Sequence, residues 1–360
     1  MSQPPAAFRL SEQDEDGENV DASEFTQYQP LMFSIAYRMT GSVSDAEDIV
    51  QEAFVRATRA TRDTRNTADH PKAYLATITT RLAIDHLRSA RIRRETYIGT
   101  WLPEPLLSDA GGGTGTGTGT GTAGTSTRTG TRTGIGTGQG SEALLRDDAP
   151  GPAELAETSD SLSMAFLVLL ESLSPPERAV FLLREVFGYA YPEIAEITGK
   201  SEAACRQIFA RSRRHIDEGR PRFETSRAEG EELAGLFLAA ARGGDMSSLI
   251  QKLAPDVLFY GDSGGLGEIT FAAPVAGRER VAEIIRGQVA RTIQLGATLD
   301  AAWVNGQPGL VARDADGGLI AVIALDVLDG QVQALRTVAN PDKLRHLGPV
   351  SQTWHLRQEE

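Results

Sequence analysis

The spacing of apolar residues over positions 190–216, past the middle of the chain, predicts two short helices joined by a tight turn. Pro192 suits the start of the first helix, Gly199 suits a left-handed turn, and Ser201 suits the N-cap of the second helix. The inward face of the second helix is formed by Cys205, Phe209, Ser212 and Ile216. The pattern therefore predicts a helix-turn-helix whose second helix keeps a polar side for other contacts.

A second helical pattern lies nearer the N-terminus. The run Ser44–Glu47 has the form of a capping box, so we expect a helix to begin there. Its apolar stripe consists of Ala46, Ile49, Val50, Ala53, Phe54 and Ala57. A further helix is predicted to begin at His70–Pro71 and to run from Lys72 to about Arg94. These segments together predict a helical N-terminal region.

The pattern changes after a break at 219–226, around Pro221, where helical segments are followed by strand-like ones. Helices are predicted over 227–242 and 276–291, and strands over 254–260, 299–305, 309–314, 319–328 and 331–338. Asp314–Gly318 and Asp329–Gly330 supply hairpin turns between strands. This order predicts a separate α+β domain that contains an antiparallel meander.

Two segments have compositions that cannot form a core. Residues 111–140 are almost entirely Gly and Thr, so we expect a flexible linker between two helical regions. Residues 11–24 are rich in Asp and Glu and predict a disordered acidic tail, with a nucleic-acid mimic as the alternative.

Composition narrows the class of protein. The 360-residue chain is 40% apolar, which suits two or three domains with their own cores. A single cysteine, Cys205, excludes an intrachain disulfide and fits a reducing cytosol. No apolar run has membrane-spanning length and no signal peptide is visible, so we expect a cytoplasmic protein without membrane insertion. The histidines lack metal-ligand spacing, and we expect neither a metal nor a cofactor.

Charge is distributed unevenly along the chain. The net charge is −13, yet the helix predicted over 72–94 and the second helix of the helix-turn-helix are basic. An acidic protein with locally basic helices is expected to focus its DNA contact on those elements. The candidates on the first helix are Arg81, Arg88, Arg91, Arg93 and Arg94, and those on the second are Arg206, Gln207, Arg211, Arg213 and Arg214. The first group exceeds what a helix C-terminus needs for its dipole, which favours contact with phosphates.

Several segments resemble bacterial sigma factors, and they are most similar to the extracytoplasmic-function group of the sigma-70 family. These segments are 45–57, 70–95 and 173–216. The runs Trp101–Pro105 and Asn340–Leu344 further resemble the subgroup with a fused SnoaL-like domain of the NTF2-like fold. The resemblance implies a multidomain protein with two all-α sigma domains, the second containing the helix-turn-helix, and a C-terminal α+β NTF2-like domain.

The resemblance also implies a division of the chain and a function. The expected parts are a disordered tail over 1–24, sigma domain two over 25–98, a linker with the Gly/Thr tract over 99–158, sigma domain four over 159–218, the SnoaL-like domain over 226–347 and a tail over 348–360. The implied function is to bind core RNA polymerase, recognise promoter DNA and initiate transcription at the bacterial nucleoid.

Roles are carried over residue by residue. The face expected to meet the coiled coil of the polymerase β′ clamp contains Asp48, Gln51 and Glu52, and the β flap is a further implied contact. Residues expected at the minus-ten element are Arg81, Asp85 and Arg88. Residues expected at bases of the minus-thirty-five element are Arg206 and Gln207, and those expected at phosphates beside them are Arg211, Arg213 and Arg214. Arg91, Arg93 and Arg94 stay phosphate candidates on the density of arginines alone.

A third group is expected to connect the α+β domain to the sigma domains and to regulate activity. Its members are Trp101, Pro103, Pro105, Asp262, Asn340, Pro341, Asp342 and Lys343. Proteins with this fused domain usually carry an Asp-Gly-Gly-Gly-Lys run, whereas residues 261–267 read GDSGGLG and lack the Lys. The direction of the regulation stays open.

Other interpretations remain. NTF2-like cavities also host catalysts, so a DNA-tethered small-molecule sensor or enzyme is the alternative function. Its candidate carboxylates are Asp256, Asp262 and Asp300; no His lies near them in sequence, and we expect no catalytic residue. A conventional helix-turn-helix repressor is a third interpretation. An anti-sigma factor and a small-molecule ligand are further candidate partners. A redox role for Cys205 is weighed against a packed hydrophobe, which its inward position favours.

Overall fold

The computed structural model describes residues 22–63, 71–95, 97–108, 161–219, 226–242, 246–266, 271 and 273–352. The acidic tail up to residue 21 and the Gly/Thr tract lie outside the described residues. So do the side chains of Arg91, Arg93 and Arg94, for which only the helical backbone is described.

The N-terminal domain, domain two, is built from α1 (Ala22–Thr40), α2 (Val43–Asp63) and α3 (Pro71–Glu95). The helix predicted over 72–94 is thus confirmed to within one residue at each end. The buried part of the α2 stripe is Ala46, Ile49, Val50, Ala53 and Ala57. Phe54 completes the stripe and packs against Phe25, with ring centroids 4.3 Å apart. The predicted inward face of α2 is therefore confirmed.

The start of α2 differs from the prediction. The helix begins at Val43, and the Ser42 hydroxyl accepts a hydrogen bond from the Asp45 amide at 3.1 Å. Ser42 therefore caps the helix, and the capping box predicted at Ser44–Glu47 was wrong. Both serines have an acidic residue three positions later, so the local pattern alone does not distinguish them.

Domain four contains α4 (Met164–Leu170), α5 (Pro175–Glu185), α6 (Tyr191–Thr198) and α7 (Glu202–Gly219). Helix α6 begins at Tyr191, one residue before the predicted start. Gly199 follows it with φ +66°, and the Ser201 hydroxyl accepts from the Ala204 amide at 3.2 Å. On α7, Cys205, Ser212 and Ile216 are buried, while Phe209 is half-buried against Phe181. The predicted helix-turn-helix is confirmed.

The C-terminal domain packs helices on a sheet. Its helices are α8 (Arg227–Ala241), α9 (Met246–Gln251), α10 (Arg278–Gln294) and α11 (Pro341–Leu344). The strands are β1 (Leu107–Ser108), β2 (Leu253–Asp262), β3 (Val275–Ala276), β4 (Thr298–Val304), β5 (Gln307–Arg313), β6 (Leu319–Leu328) and β7 (Gln331–Val338). The sheet order is β1-β4-β5-β6-β7-β2-β3, with β2 and β7 parallel and the other pairs antiparallel. The α+β fold is confirmed.

Some local features were not predicted. Helix α9 and strands β1 and β3 are additional. The predicted strand over 299–305 ends at Val304, because Asn305 and Gly306 form the turn into β5 with positive φ. Beyond residue 347 the chain stays on the sheet, since the Ser351 amide donates to the Leu319 carbonyl at 2.9 Å.

The sheet has two occupied faces. On one face, its own helices bury a core that includes Leu233, Phe237, Val281, Leu325 and Leu335. On the other face, Leu102 of the linker and Met164 of domain four join a cluster with Val304, Val322 and Val338. A further cluster combines residues of domains two and four, among them Ile35, Ala83, Leu182 and Ile194. The three domains therefore share apolar packing.

Candidate polymerase and nucleic-acid interface

The polar face of α2 is open to solvent. Asp48, Gln51 and Glu52 are exposed, and Glu52 forms an ion pair with Arg56 at 2.8 Å. Val55 lies on the same face, at helical spacing from the other three, and is one of the larger exposed apolar side chains. A polar face that includes an exposed apolar side chain is suited to binding another protein.

The N-terminus of α2 is bound by the linker. The buried carboxylate of Glu104 accepts from the Val43 amide at 2.7 Å, and from the Ser42 hydroxyl at 2.8 Å. A carboxylate at a helix N-terminus satisfies free amides and interacts favourably with the helix dipole. Trp101 packs beside it on Gly41, whose φ is +67°, and a Cβ at Gly41 would lie 2.7 Å from the ring. The linker is thus fixed to the helix that carries the polar face.

The predicted minus-ten residues occupy two different environments. Arg81 of α3 reaches domain four, where its Nε donates to the Ile197 carbonyl and its Nη2 to the Glu196 carbonyl, each at 2.9 Å. Asp85 and Arg88 are both exposed and pair with each other at 3.1 Å. The structure therefore separates Arg81 from the other two residues.

The recognition-helix candidates lie on the exposed side of α7. Arg206 pairs with Glu202 at 2.8 Å and lies 5.0 Å from the ring centre of Tyr191, while Gln207 is exposed. Both side chains point away from the inward face of α7. They are therefore positioned to contact base edges if α7 enters the major groove of DNA.

The remaining basic residues of α7 are exposed as well. Arg211 lies 4.0 Å from Glu177, and Arg213 lies 3.7 Å from Asp217. Arg214 is exposed and bonds to a backbone carbonyl of its own helix. Ion pairs this exposed contribute little to stability, so these cations can exchange their partners for phosphates.

Domains two and four are joined by arginines of both domains. Arg178 of α5 donates to the Met39 carbonyl at 2.5 Å and to Glu171 at 2.8 Å. Arg38 of α1 donates to the Ser161 hydroxyl at 3.1 Å. Burial lowers the pKa of Arg38 to about 10. We call the contact made by Arg38, Arg81 and Arg178 the sigma–sigma contact.

The linker is also joined to the C-terminal domain through Asp262. This buried carboxylate accepts from the Leu102 amide at 2.8 Å, from the Tyr97 hydroxyl, and from the Lys343 ammonium at 2.6 Å. The Lys343 ammonium lies 4.4 Å from the Trp101 ring and 4.9 Å from the Tyr97 ring. We call this group the linker contact. It gives Asp262 an ammonium partner although the run at 261–267 lacks one.

Other predicted regulatory residues surround the linker contact. Asn340 caps α11 by accepting from the Asp342 amide at 3.0 Å, and donates to the Tyr97 hydroxyl at 2.9 Å. Burial, followed by the charge of Asp262, raises the pKa of Tyr97. Pro341 begins α11, whereas the Asp342 side chain faces solvent and pairs with Arg345.

Two prolines of the linker are buried, and one of them contacts the C-terminal domain. Pro103 and Pro105 are both buried within Trp101–Pro105. The Pro105 carbonyl lies 2.7 Å from the His346 Nε2. The predicted regulatory residues are therefore brought together around the linker, with Asp342 at the edge.

Asn305 connects three parts of the chain, and sequence reasoning missed it. Its side-chain amide donates to the Tyr37 hydroxyl at 2.7 Å and to the Leu162 carbonyl at 3.0 Å. Its side-chain oxygen accepts from the Leu106 amide at 2.9 Å. The Asn305–Gly306 dipeptide is a hairpin signal that predicts the turn. It does not predict contacts with α1, the linker and domain four.

The three candidate carboxylates for catalysis lie in different surroundings. Asp256 and Asp300 are exposed, and Asp262 is engaged in the linker contact. Within the described ranges, no group of three or more His, Cys, Asp or Glu residues is arranged to hold a metal ion. None of the described helices combines the length and apolarity needed to cross a bilayer.

Family models match both helical domains. Residues 25–93 match the model for sigma-70 region 2, and residues 163–216 match the model for sigma-70 region 4.

Full-length relatives are similar over nearly the whole chain. The ECF RNA polymerase sigma factor SigJ of Mycobacterium tuberculosis is 36% identical over 90% of this chain and 93% of the relative. The probable ECF RNA polymerase sigma factor SigI of the same species is 29% identical over 88% of this chain and 92% of the relative. The crystal structure of M. tuberculosis SigJ matches with a TM-score of 0.62 at 32% identity, covering 92% of this chain and 100% of that one.

Proposed function

The protein belongs to the extracytoplasmic-function (ECF) sigma factors of RNA polymerase, and from this we propose that its structure is the closed state of a promoter-recognition factor. As a sigma factor it binds core RNA polymerase and directs it to promoter DNA. The arrangement of domains two and four is the observation that carries the proposal of a closed state.

The closed state conflicts with simultaneous recognition of both promoter elements. Elements at minus ten and minus thirty-five are about 25 base pairs apart, which is about 85 Å along B-DNA at about 3.4 Å per base pair. In the structure, α3 and α6 touch through the 2.9 Å bonds of Arg81. Domains two and four must therefore separate before one molecule can occupy both elements.

We assign the polymerase contact to the exposed α2 face and the DNA contacts to α3 and α7. Asp48, Gln51 and Glu52 are accessible without any rearrangement. Arg206 and Gln207 would contact bases of the minus-thirty-five element, and Arg211, Arg213 and Arg214 would contact phosphates. Asp85 and Arg88 remain candidates for the minus-ten element, together with Arg81 after opening.

We further propose that the C-terminal domain stabilises the closed state. It holds the linker through Asp262 and Lys343, and the linker in turn holds α2 through Glu104. Asn305 adds direct bonds to domain two and to the start of domain four. The domain therefore favours a fixed relative position of the two sigma domains, which restrains promoter recognition.

Run-off transcription with core polymerase tests the function. The wild-type protein should direct initiation, and the triple variant Asp48→Arg, Gln51→Ala, Glu52→Arg should lose core binding by charge reversal while keeping its circular dichroism spectrum. A matched control, Glu279→Arg with Glu283→Arg on the exposed side of α10, should bind core as the wild type does. Unchanged core binding by the triple variant would mean that the α2 face is only solvated surface.

A further inference from the structure

In the sigma–sigma contact, each domain donates hydrogen bonds to the C-terminal end of a helix in the other domain. Arg81 of domain two donates to the Glu196 and Ile197 carbonyls in the last turn of α6. Arg178 of domain four donates to the Met39 carbonyl in the last turn of α1. The final carbonyls of a helix lack intrahelical partners and carry partial negative charge. Each domain thus supplies a guanidinium that caps a helix of the other.

Arg81 differs from Arg178 in its accessibility. Arg178 is buried and also paired with Glu171, whereas Arg81 is exposed and its described acceptors are uncharged. A phosphate is a stronger acceptor for a guanidinium than a carbonyl, because it is charged and can accept two parallel bonds. Nucleic acid can therefore compete for Arg81 at the surface of the closed molecule.

We propose that Arg81 is a latch between the sigma domains: its side chain caps α6 in the closed molecule, and separation of the domains on core polymerase frees it for the minus-ten element. The inference rests on the proposed function, which assigns Arg81 to the minus-ten element. One guanidinium cannot cap α6 and bind the DNA strand at the same time. Separation of the helix-turn-helix from α3 therefore precedes contact of Arg81 with the minus-ten element.

Removal of a DNA contact ordinarily leaves the affinity for core polymerase unchanged. Removal of the latch should instead raise that affinity. Core polymerase that engages both sigma domains binds the open form, so its apparent affinity is reduced by the fraction of molecules that are closed. Loss of the latch raises the open fraction. In the absence of DNA, Arg81→Ala should therefore bind core polymerase about three- to tenfold more tightly than the wild type.

The experiment compares variants of one helix in the full-length protein. Core affinity is measured by fluorescence anisotropy without DNA for the wild type, Arg81→Ala, Arg81→Lys and Arg88→Ala. Arg88 is the matched control because it lies two turns along α3, is exposed, and pairs with Asp85. Both alanine variants should lose promoter binding, but only Arg81→Ala should gain core affinity. The core affinity of Arg81→Lys should lie between that of Arg81→Ala and that of the wild type, since an ammonium keeps the charge but cannot donate two parallel hydrogen bonds as a guanidinium does.

Failure of the latch and failure of the proposed function give different results in this experiment. Equal core affinity for the wild type, Arg81→Ala and Arg88→Ala overturns the latch, and so does an equal gain by both alanine variants. If no protein binds core, the proposed function fails instead. The latch is then decided by single-molecule FRET between dyes on Glu47→Cys and Glu218→Cys, both exposed sites. A larger open population in Arg81→Ala than in Arg88→Ala supports the latch, and equal populations overturn it.

Discussion

The sigma–sigma contact and the linker contact join neighbouring parts of the chain by different chemistry. In the sigma–sigma contact, the exposed Arg81 side chain donates to two backbone carbonyls of α6. In the linker contact, the buried charges of Asp262 and Lys343 neutralise each other at 2.6 Å. An exposed guanidinium can exchange a carbonyl for water at little cost, whereas separation of a buried ion pair leaves both charges without compensation. The comparison indicates that the sigma domains separate before the linker leaves the C-terminal domain.

The largest expected effect comes from breaking the linker contact. Lys343→Met leaves Asp262 as an unpaired buried charge and should lower the free energy of unfolding by about 3–5 kcal/mol. Urea unfolding of the full-length protein measures the loss. Arg345→Met is the control, because Arg345 belongs to an ion pair in which both side chains are 74% exposed. Equal loss in the two variants would show that the buried pair of Asp262 and Lys343 contributes no more to stability than an exposed ion pair.

The next effect concerns the junction at Asn305. Asn305→Gly keeps the positive φ of the turn but removes the bonds to Tyr37, Leu162 and Leu106, which should destabilise the closed molecule by about 2–3 kcal/mol. Asp329→Gly is the control, since Asp329 has φ +52° in the β6–β7 turn and an exposed side chain. The midpoint of thermal unfolding should fall for Asn305→Gly alone. A similar shift in both proteins would attribute the effect to the turn backbone.

A smaller effect is expected at the N-terminus of α2. Glu104→Gln keeps the shape of the side chain but removes the charge that faces the Val43 amide, and should weaken the first turn of α2 by about 1–2 kcal/mol. Hydrogen exchange at Val43 and Ser44 reports that turn. Glu193→Gln removes the charge from an equivalent acceptor at the start of α6 and should leave α2 protection unchanged. Unaltered exchange in Glu104→Gln would show that the Ser42 hydroxyl caps α2 without the linker.

The smallest effect on stability is expected at the recognition helix, because these side chains take no part in either contact. Arg206→Ala should reduce discrimination between promoter bases by about 1–3 kcal/mol. Arg213→Ala should weaken binding to all sequences and lower the salt slope by about 1. Filter binding over a salt series measures both, and core affinity should stay that of the wild type. A sequence-selective loss in Arg213→Ala would reverse the two assignments.

Local signals predicted most of the fold. Gly199 and Ser201 define the helix-turn-helix because left-handed backbone and N-capping depend on the residue itself. The start of α2 was mispredicted because Ser42 and Ser44 have the same local pattern. The outcome there involves Glu104, about sixty residues away in sequence.

The contacts of the candidate site were harder to predict from the sequence than the fold was. Arg81 is recognisable as a basic residue of α3, but its acceptors are backbone carbonyls, which have no signature in the sequence. The pairing of Asp262 with Lys343 joins residues 81 positions apart. Such contacts follow from how the domains pack rather than from periodicity, so no pattern along the chain predicts them.

Strand β1 and helix α4 carry described residues on either side of the Gly/Thr tract to one sheet. Ser108 pairs with Trp303 at the sheet edge, and the Met164 amide donates to Gln307 on the neighbouring strand at 3.2 Å. The chain on each side of the Gly/Thr tract is therefore held by the same sheet. The entropy of closing a flexible loop rises only logarithmically, by about 0.6 kcal/mol per doubling of its length. Because both flanking segments are held in this way, halving or doubling the tract should change the free energy of unfolding by less than about 1 kcal/mol.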